Sequence, residues 1–552
     1  TSLVGSEMCI RDRLWTVRLG NQVIVTSTEQ NFSHTFKDPG FYDVELIATN
    51  CAGSDTTTRT LEIIDVVEPE PDTFLVPSAV HTPGLNQTLW KTDLRIFNPG
   101  DDPVMVRIEY LPEDTDNTQT VIHAIEFNLE RRGTRVFEDI VGDIPGVQGD
   151  TNKGSLRCSF GEGTEVAPLI MSRTFNETPV GTFGQFVGAV PVRENEDGFM
   201  LLTGLAENLY YRSNLSLANF SDRTAWGVSV KVLSDRGEII GEPINVAIKP
   251  HSTTQIIRVA EQAGILSDLD IYSLYIFANG FDLSASVSIV DNATGDPVHV
   301  ESVDKSGDVF WVPGVAHLEG ANNSQWRSDI TFFNTTLDWV STRVEYVSPE
   351  NNQIGFTPVM LLDTASANAS AFKSVLADSM LPSGVESKGY FVITSRDGSP
   401  LPQVVAKTYN VDQHGGTFGQ NLKVFSGSDL IEEGEAGFIT GVTNSSENTV
   451  GFRTNVGVLN TSENNTAAVE IKIFDTAGVR VGWIPNLQVG PGVLLQGNIF
   501  EFAHIGDLDM HGSVEIRVLS GGPVAAYASQ IDNRTQDPIL IPAIEVPGAA
   551  VE

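Results

Sequence analysis

Two short segments gather hard oxygen donors, DNATGDP at Asp291–Pro297 and DNRTQDP at Asp532–Pro538. Each sets Asp, Asn, Thr and Asp within seven residues, and carboxylate and amide oxygens are what calcium takes as ligands. On that chemistry Asp291, Asn292 and Asp296 form one candidate calcium site, and Asp532, Asn533 and Asp537 a second. A β-turn draws on the same residue types, because Asp and Asn bond their own backbone and Pro fixes φ, so a turn alone is the simpler reading. Calcium is the one cofactor these residues suggest.

Other patterns repeat as well. GTFGQ occurs unchanged at Gly181 and Gly416, and its glycines allow a tight turn or close backbone approach beside Phe183 and Phe418. A hairpin closing a sheet explains it; a platform for stacking a sugar is the alternative. A basic residue follows an aromatic one at Arg212, Arg327 and Arg453, with Lys91 in the fourth copy. Such a residue could hold an anion, yet stacking on the ring and bonding a neighbouring strand explains the even recurrence more simply. His81 and His317 close the matching segments VPSAVH and VPGVAH, where packing at a domain start needs no chemistry. No nucleotide loop, G-x-S-x-G elbow, H-E-x-x-H helix or paired-cysteine motif is present. The expectation is therefore no catalytic residue and no enzyme.

The elements that position these residues are repeated at long period. VPSAVH at Val76 returns at Val312, WKTDLRIFN at Trp90 as WRSDITFFN at Trp326, and RIEY at Arg107 as RVEY at Arg343, all at an offset of 236. GTFGQ returns at 235, while YRSNLSLAN at Tyr211 and the Asp291 segment return at 241. Two consecutive modules have been duplicated as a pair. Inside each pair the halves are related too, through a motif of aromatic, basic, Ser/Thr, Asp/Asn and alternating apolar positions ending in Asn. Its Asp/Asn members, Asp93, Asn214, Asp329 and Asn455, are spaced by 121, 115 and 126 residues, which is the size of one domain.

The local pattern is that of strands. Thr92, Leu94 and Ile96 alternate with Lys91, Asp93 and Arg95, and NPGDDP then turns the chain into Val104, Val106, Ile108 and Tyr110. About 45 residues after each motif a short stretch, near Phe137, Val259, Val375 and Phe500, reads as a one- or two-turn helix; the remainder reads as strand and turn. The predicted fold class is all-β: tandem antiparallel β-sandwiches of immunoglobulin-like type. The expected divisions are sandwich A1 at 73–192, B1 at 193–304, A2 at 308–427 and B2 at 428–543, with a tail at 544–552.

The N-terminal part differs. Trp15 precedes HTFKDPGFYDVELIATNCAGSDTTTRTLEI at His34–Ile63, and Gly40, Tyr42, Val44, Leu46, Thr49, Asn50 and Gly53 fit a G-x-Y-x-V-x-L strand followed by T-N-x-x-G. Residues 14–65 therefore resemble the latter part of a PKD domain, an immunoglobulin-like module of extracellular proteins. The family's W-x-F-G-D-G is degraded here to WTVRLGN, and the first strands are absent. The acidic, proline-bearing VVEPEPD at 66–72 reads as a linker. Residues 1–13, TSLVGSEMCIRDR, resemble a translated sequencing adapter and are expected to contribute nothing to folding.

Composition bounds the function. Asp and Glu number 71 against 34 Lys and Arg, a formal net charge of −37, and such a surface repels phosphate backbones and anionic lipid heads. Neither nucleic acid nor membrane insertion is expected. Cys9, Cys51 and Cys158 are too few for a disulfide framework. The resemblance and the duplication imply a non-catalytic structural or adhesion module of a secreted or cell-surface bacterial protein, with any signal peptide upstream. The alternative is the accessory region of a secreted hydrolase, binding polysaccharide or protein beside a catalytic domain outside this sequence.

Overall fold

The computed structural model describes all residues except 1–11, 21, 30, 31, 33, 35–39, 51, 52, 64–72, 85–87, 162, 193–197, 279–281, 303–306, 321–323, 337–339, 349–359, 365–368, 373–375, 377–379, 382, 397, 412–414, 448, 506–509 and 547–552. The chain divides into two compact units, Thr1–Glu70 and Pro71–Glu552.

In the first unit β1 (Asp12–Leu19), β2 (Gln22–Ser27), β3 (Gly40–Asn50) and β4 (Gly53–Ile63) form one antiparallel sheet in the order β2-β1-β3-β4. Thr16, Val17 and Tyr42 are its buried side chains among the described residues. The boundary expected after residue 13 falls inside β1, where Asp12 and Arg13 pair with Thr49 and Ala48. Those two residues therefore belong to the sheet.

The second unit repeats one sandwich four times. A1 comprises β5 (Thr73–Pro83), β6 (Leu89–Phe97), β7 (Val104–Pro112), β8 (His123–Leu129), β9 (Thr134–Phe137), α1 (Ile140–Asp143), β10 (Asn152–Phe160), β11 (Leu169–Thr178), β12 (Gly181–Gly188) and β13 (Val190–Pro191). Its strands form one continuous sheet that folds over where β5 pairs β6 at His81–Pro83, one layer running β13-β5-β10-β7-β8 and the other β9-β6-β11-β12. B1 comprises β14 (Phe199–Glu207), β15 (Tyr211–Asn219), β16 (Ala225–Leu233), β17 (Ile239–Ile248), β18 (Thr253–Ile256), α2 (Val259–Gln262), β19 (Leu269–Phe277), β20 (Leu283–Asp291) and β21 (Pro297–Glu301). Its layers are β14-β19-β16-β17 and β18-β15-β20-β21, the same order as A1.

A2 follows with β22 (Val309–Glu319), β23 (Gln325–Phe333), β24 (Val340–Val347), β25 (Met360–Thr364), β26 (Ala369–Phe372), β27 (Ser387–Ser395), β28 (Gln403–Val411) and β29 (Thr417–Leu422). B2 contains β30 (Ala436–Asn444), β31 (Phe452–Asn460), β32 (Ala467–Asp475), β33 (Arg480–Val489), β34 (Leu494–Asn498), α3 (Ile499–Phe502), β35 (Met510–Ser520), β36 (Val524–Asp532), β37 (Pro538–Pro542) and β38 (Ile544–Glu545). The expected tail thus opens with a strand, β38, paired with β30. Register confirms the equivalence of the repeats: Asp93 lies opposite Arg173, Asn214 opposite Ser288, Asp329 opposite Lys407 and Asn455 opposite Ser529. Three of the expected short helices are α1, α2 and α3, the first beginning three residues past Phe137; Val375 lies outside the described residues. A 3-10 turn at Gly427–Asp429, between A2 and B2, was not anticipated.

The Asn that ends each repeated motif has a structural task. Asn98, Asn219 and Asn460 are buried, and their side-chain amides donate to the carbonyls of Asp102 and Leu129, of Arg223 and Ile248, and of Asn465 and Val489. Each amide oxygen accepts from the backbone N–H two residues on, at Gly100, Ser221 and Ser462. One side chain thereby satisfies turn and strand-end groups that burial would otherwise leave unbonded.

Candidate functional site

The repeated motifs converge at one place, and what they bind there is another part of the same chain. Loop 291–297 of B1 docks on β29 of A2, and loop 532–538 of B2 docks on β12 of A1. In the second contact Asp532 Oδ2 accepts from the N–H and Oγ1–H of Thr182 at 3.0 and 2.6 Å, and Asp537 Oδ2 from Gly184 N–H at 2.8 Å. Thr535 Oγ1 donates back to the Thr182 carbonyl at 2.9 Å. In the first contact Asp291 Oδ2 accepts from Thr417 N–H and Oγ1–H at 2.9 and 2.8 Å, Asp296 Oδ2 accepts from Gly419 N–H at 2.8 Å, and Thr294 Oγ1 donates to the Thr417 carbonyl at 2.7 Å. The two junctions are the same contact made twice about a pseudo-two-fold axis.

Each loop is preshaped for this. Asp291 Oδ1 accepts from Ala293 and Thr294 N–H at 2.7 and 3.0 Å, and Asp532 Oδ1 from Arg534 and Thr535 N–H at 2.7 and 3.2 Å. These are Asx turns, in which the carboxylate folds its own loop with one oxygen and grips the neighbouring sandwich with the other. Gly295 and Gln536 occupy the left-handed region at φ +78 and +65, which glycine enters freely and glutamine only under strain. The amide oxygens of Asn292 and Asn533 accept from Arg212 and Arg453 at 2.7 and 2.9 Å. Their Nδ2 groups donate to the carbonyls of Leu209 and of Glu447 and Val450. The arginines that follow an aromatic residue thus brace the docking loops, and the remaining two of the four, Lys91 and Arg327, bond Glu177 and the Trp326 carbonyl.

The six residues considered for calcium therefore do not gather into two oxygen cages: all but two of their side-chain oxygens face N–H or O–H donors. The two that do not are Oδ1 of Asp296 and of Asp537. Among the described residues no group of three or more His, Cys, Asp or Glu is placed to hold a metal ion. GTFGQ is an edge strand rather than only a hairpin, and its backbone N–H groups are what the loops bind. Phe183 and Phe418 pack on each other across the axis, their ring centroids 6.0 Å apart. His81 Nδ1 lies 2.7 Å from Asp139, whose other oxygen caps α1 through Gly142 N–H.

Two cations that the sequence reading passed over sit behind the strands. Arg173 is fully buried, its guanidinium 4.9 and 5.0 Å from the ring centroids of Phe175 and Phe452, with Nη2 donating to Thr182 Oγ1 at 2.7 Å. Lys407, its counterpart, lies 5.0 and 5.2 Å from Tyr409 and Tyr211 and 3.4 Å from Asp329. Each cation is held between an aromatic of its own sandwich and the motif aromatic of the sandwich that docks on it. Burial pushes the Asp93 carboxyl beside Arg173 up, opposed by Arg95 and Arg173. A lone basic residue inside the apolar runs LIMSRTF and VVAKTY was the signal in the sequence.

The four inner edge strands close the circle: β12 touches β21, β21 touches β29, β29 touches β37, and β37 touches β12. A1, B1, A2 and B2 thus form a closed ring. Away from the axis the ring is sealed by Phe97 against Phe438, by Thr134 Oγ1 and Ser513 Oγ at 3.0 Å, by Asn117 Nδ2 donating to the His251 carbonyl and by Tyr390 Oη donating to the Gly492 carbonyl. A cavity of roughly 170 Å³ remains inside, lined among others by Gln185, Leu201, His299, Phe310, Gln420 and Leu540.

In the first unit, Trp15 Nε1 donates to the Glu29 carbonyl and the ring stacks on Phe32 at 6.0 Å, while β3 and β4 pair along their full length. Residues 13–64 match the PKD domain family. The PKD domain covers the resemblance seen in the strand over Gly40–Asn50, and the match extends it back to Arg13. PKD domains are modules of extracellular proteins. No protein of curated function matches the chain. Among solved structures, Streptomyces avermitilis alpha-L-rhamnosidase complexed with L-rhamnose aligns at 9% identity over 78% of this chain, with a TM-score of 0.10. The chain spans 56% of that enzyme's length, and at such a score nothing transfers from it. No helix among the described residues is long and apolar enough to cross a membrane.

Proposed function

We propose that the chain is a non-catalytic structural and adhesion module of a bacterial secreted or cell-surface protein, in which four sandwiches locked into a ring act as one rigid body that follows a PKD domain in the sequence. The observation that supports this reading most directly is the reciprocal docking of Asp532 on Thr182 and of Asp291 on Thr417. The motifs with the strongest chemical potential serve to join sandwich to sandwich, and joining whole domains builds reach and rigidity without site chemistry. Incubating the full chain with a panel of glycoside, peptide and ester substrates is expected to give no turnover. Turnover abolished by a single substitution would contradict the proposal.

One surface favours the accessory reading, with a polysaccharide as partner. On the outer face of the β14-β19-β16-β17 sheet Phe199 stacks on Tyr275 at 5.6 Å, and Phe199 and Phe277, paired across the strands, are 49% and 44% exposed. Aromatic faces of this kind suit the C–H faces of sugars. Retarded migration of the full chain in polysaccharide-containing gels, lost in Phe199→Ala, would favour that reading; unchanged migration favours the structural one.

A further inference from the structure

The two docked loops meet at the pseudo-two-fold axis, where Asp296 and Asp537 hold Gly419 and Gly184, the neighbours of the packed Phe418 and Phe183, and where the two carboxyls interact. Both are excluded from solvent, at 2% and 1% exposure. Oδ2 of each is held by a backbone N–H, from Gly419 and Gly184 respectively, at 2.8 Å. Oδ1 of each meets no N–H or O–H donor among the described residues. Two ionised carboxylates cannot bond each other, because each can only accept, and in a buried site their repulsion is poorly screened. A proton between them removes both difficulties.

We propose that Asp296 and Asp537 share one proton across the axis, and that this acid–carboxylate bond is a pH-sensitive latch on the closed ring. The charged groups facing the pair are Asp291 and Asp532 from the docked loops and Arg173 from β11. Arg173 acts on both carboxyls but also serves Asp93, and its counterpart Lys407 serves Asp329 and Asp291, so neither cation balances two further carboxylates. A calcium ion in place of the proton would need about six to eight oxygens. Among the described residues no group of three or more His, Cys, Asp or Glu is placed to hold such an ion, and the donor-free buried amide oxygens of Asn176 and Asn410, beside Gly295 and Gln536, are neutral.

The pH dependence has a definite sign. Burial holds both carboxyls well above the ordinary carboxylate range, reinforced by Asp537 at Asp296 and by Asp532 at Asp537, and opposed by Arg173 at both. A group whose value is raised on folding stabilises fully at low pH and loses that contribution as pH rises through the folded value. The ring is therefore expected to loosen toward alkaline pH.

Thermal melts of the full chain between about pH 5 and pH 9 test this, comparing wild type, Asp537→Asn and the exposed control Asp235→Asn. Wild type and control should lose a few degrees of Tm more than Asp537→Asn as pH rises, because the amide donates to Asp296 at every pH. Equal slopes in all three would overturn the proposal. So would a calcium-dependent rise in wild-type Tm that Asp537→Asn abolishes, since the pair would then hold a cation. Should Asp537→Asn not fold, infrared spectra of the wild type decide: a buried carboxylic-acid carbonyl band at neutral pH that fades at alkaline pH is expected, and its absence refutes the shared proton.

Discussion

Asp532→Ala is expected to destabilise the ring by about 3–5 kcal/mol and to lower its Tm by on the order of 10 °C, an effect far larger than a surface loop residue normally has. The carboxylate accepts four hydrogen bonds, from Arg534 and Thr535 in its own loop and from the Thr182 N–H and hydroxyl of A1. Alanine removes them together and leaves a buried interface with unbonded donors. Asp532→Asn should recover less than half of the loss, because its NH₂ group must face N–H donors on one side or the other. Asp291→Ala should match Asp532→Ala closely, since it accepts from Ala293, Thr294 and Thr417 in the same geometry. Denaturant unfolding of the full chain measures all three. A loss below about 1 kcal/mol for Asp532→Ala would show that the docking is incidental.

Arg173→Ala carries the second large expectation, a loss of about 3–5 kcal/mol. The guanidinium is buried among Phe175, Phe452, Asp93 and the Thr182 hydroxyl, so its removal leaves Asp93 with Arg95 and the more distant His511 and opens a cavity at the A1–B2 junction. Arg173→Lys should cost clearly less than alanine, because the duplicated position already carries Lys407 between two aromatic rings. The reciprocal Lys407→Arg should likewise be tolerated. Lysine as damaging as alanine at position 173 would mean that the two junctions are not equivalent.

Much of this architecture was legible in the sequence, and the part that was not has a common cause. The offsets of 235, 236 and 241 fixed the repeat, and period-2 patterning fixed the strands. The alternation over Lys91–Phe97 gives two opposite faces, and both are covered: Asp93 and Arg95, at 5% and 4% exposure, are buried like Leu94 and Ile96 on the other side. Single-strand patterning reports burial against a domain's own core; it carries no mark of a second domain lying on the outer face. For the same reason DNATGDP and DNRTQDP looked like local turns or ion sites. The turn reading has merit, since the Asx turns are there, but the second oxygen of each carboxylate reaches a strand 126 or 350 residues away in the sequence. Identical GTFGQ segments paired with near-identical DNxTxDP loops were the available clue, because two motifs that repeat together can be two halves of one contact.

The ring itself is the central claim, and the distance between A1 and B2 tests it most directly. Spin labels at Val180→Cys and Glu447→Cys, both exposed, with the three native cysteines replaced by serine, flank the docked loop, as Arg534 donates to the Pro179 carbonyl and Asn533 to that of Glu447. Pulsed electron-paramagnetic-resonance measurement on the full chain should give one narrow, short distance distribution. It should broaden and lengthen when Asp532→Ala and Asp537→Ala are added. A broad, long distribution in the unaltered interface, as four sandwiches strung in a line would produce, would contradict ring closure and with it this account of the repeated motifs.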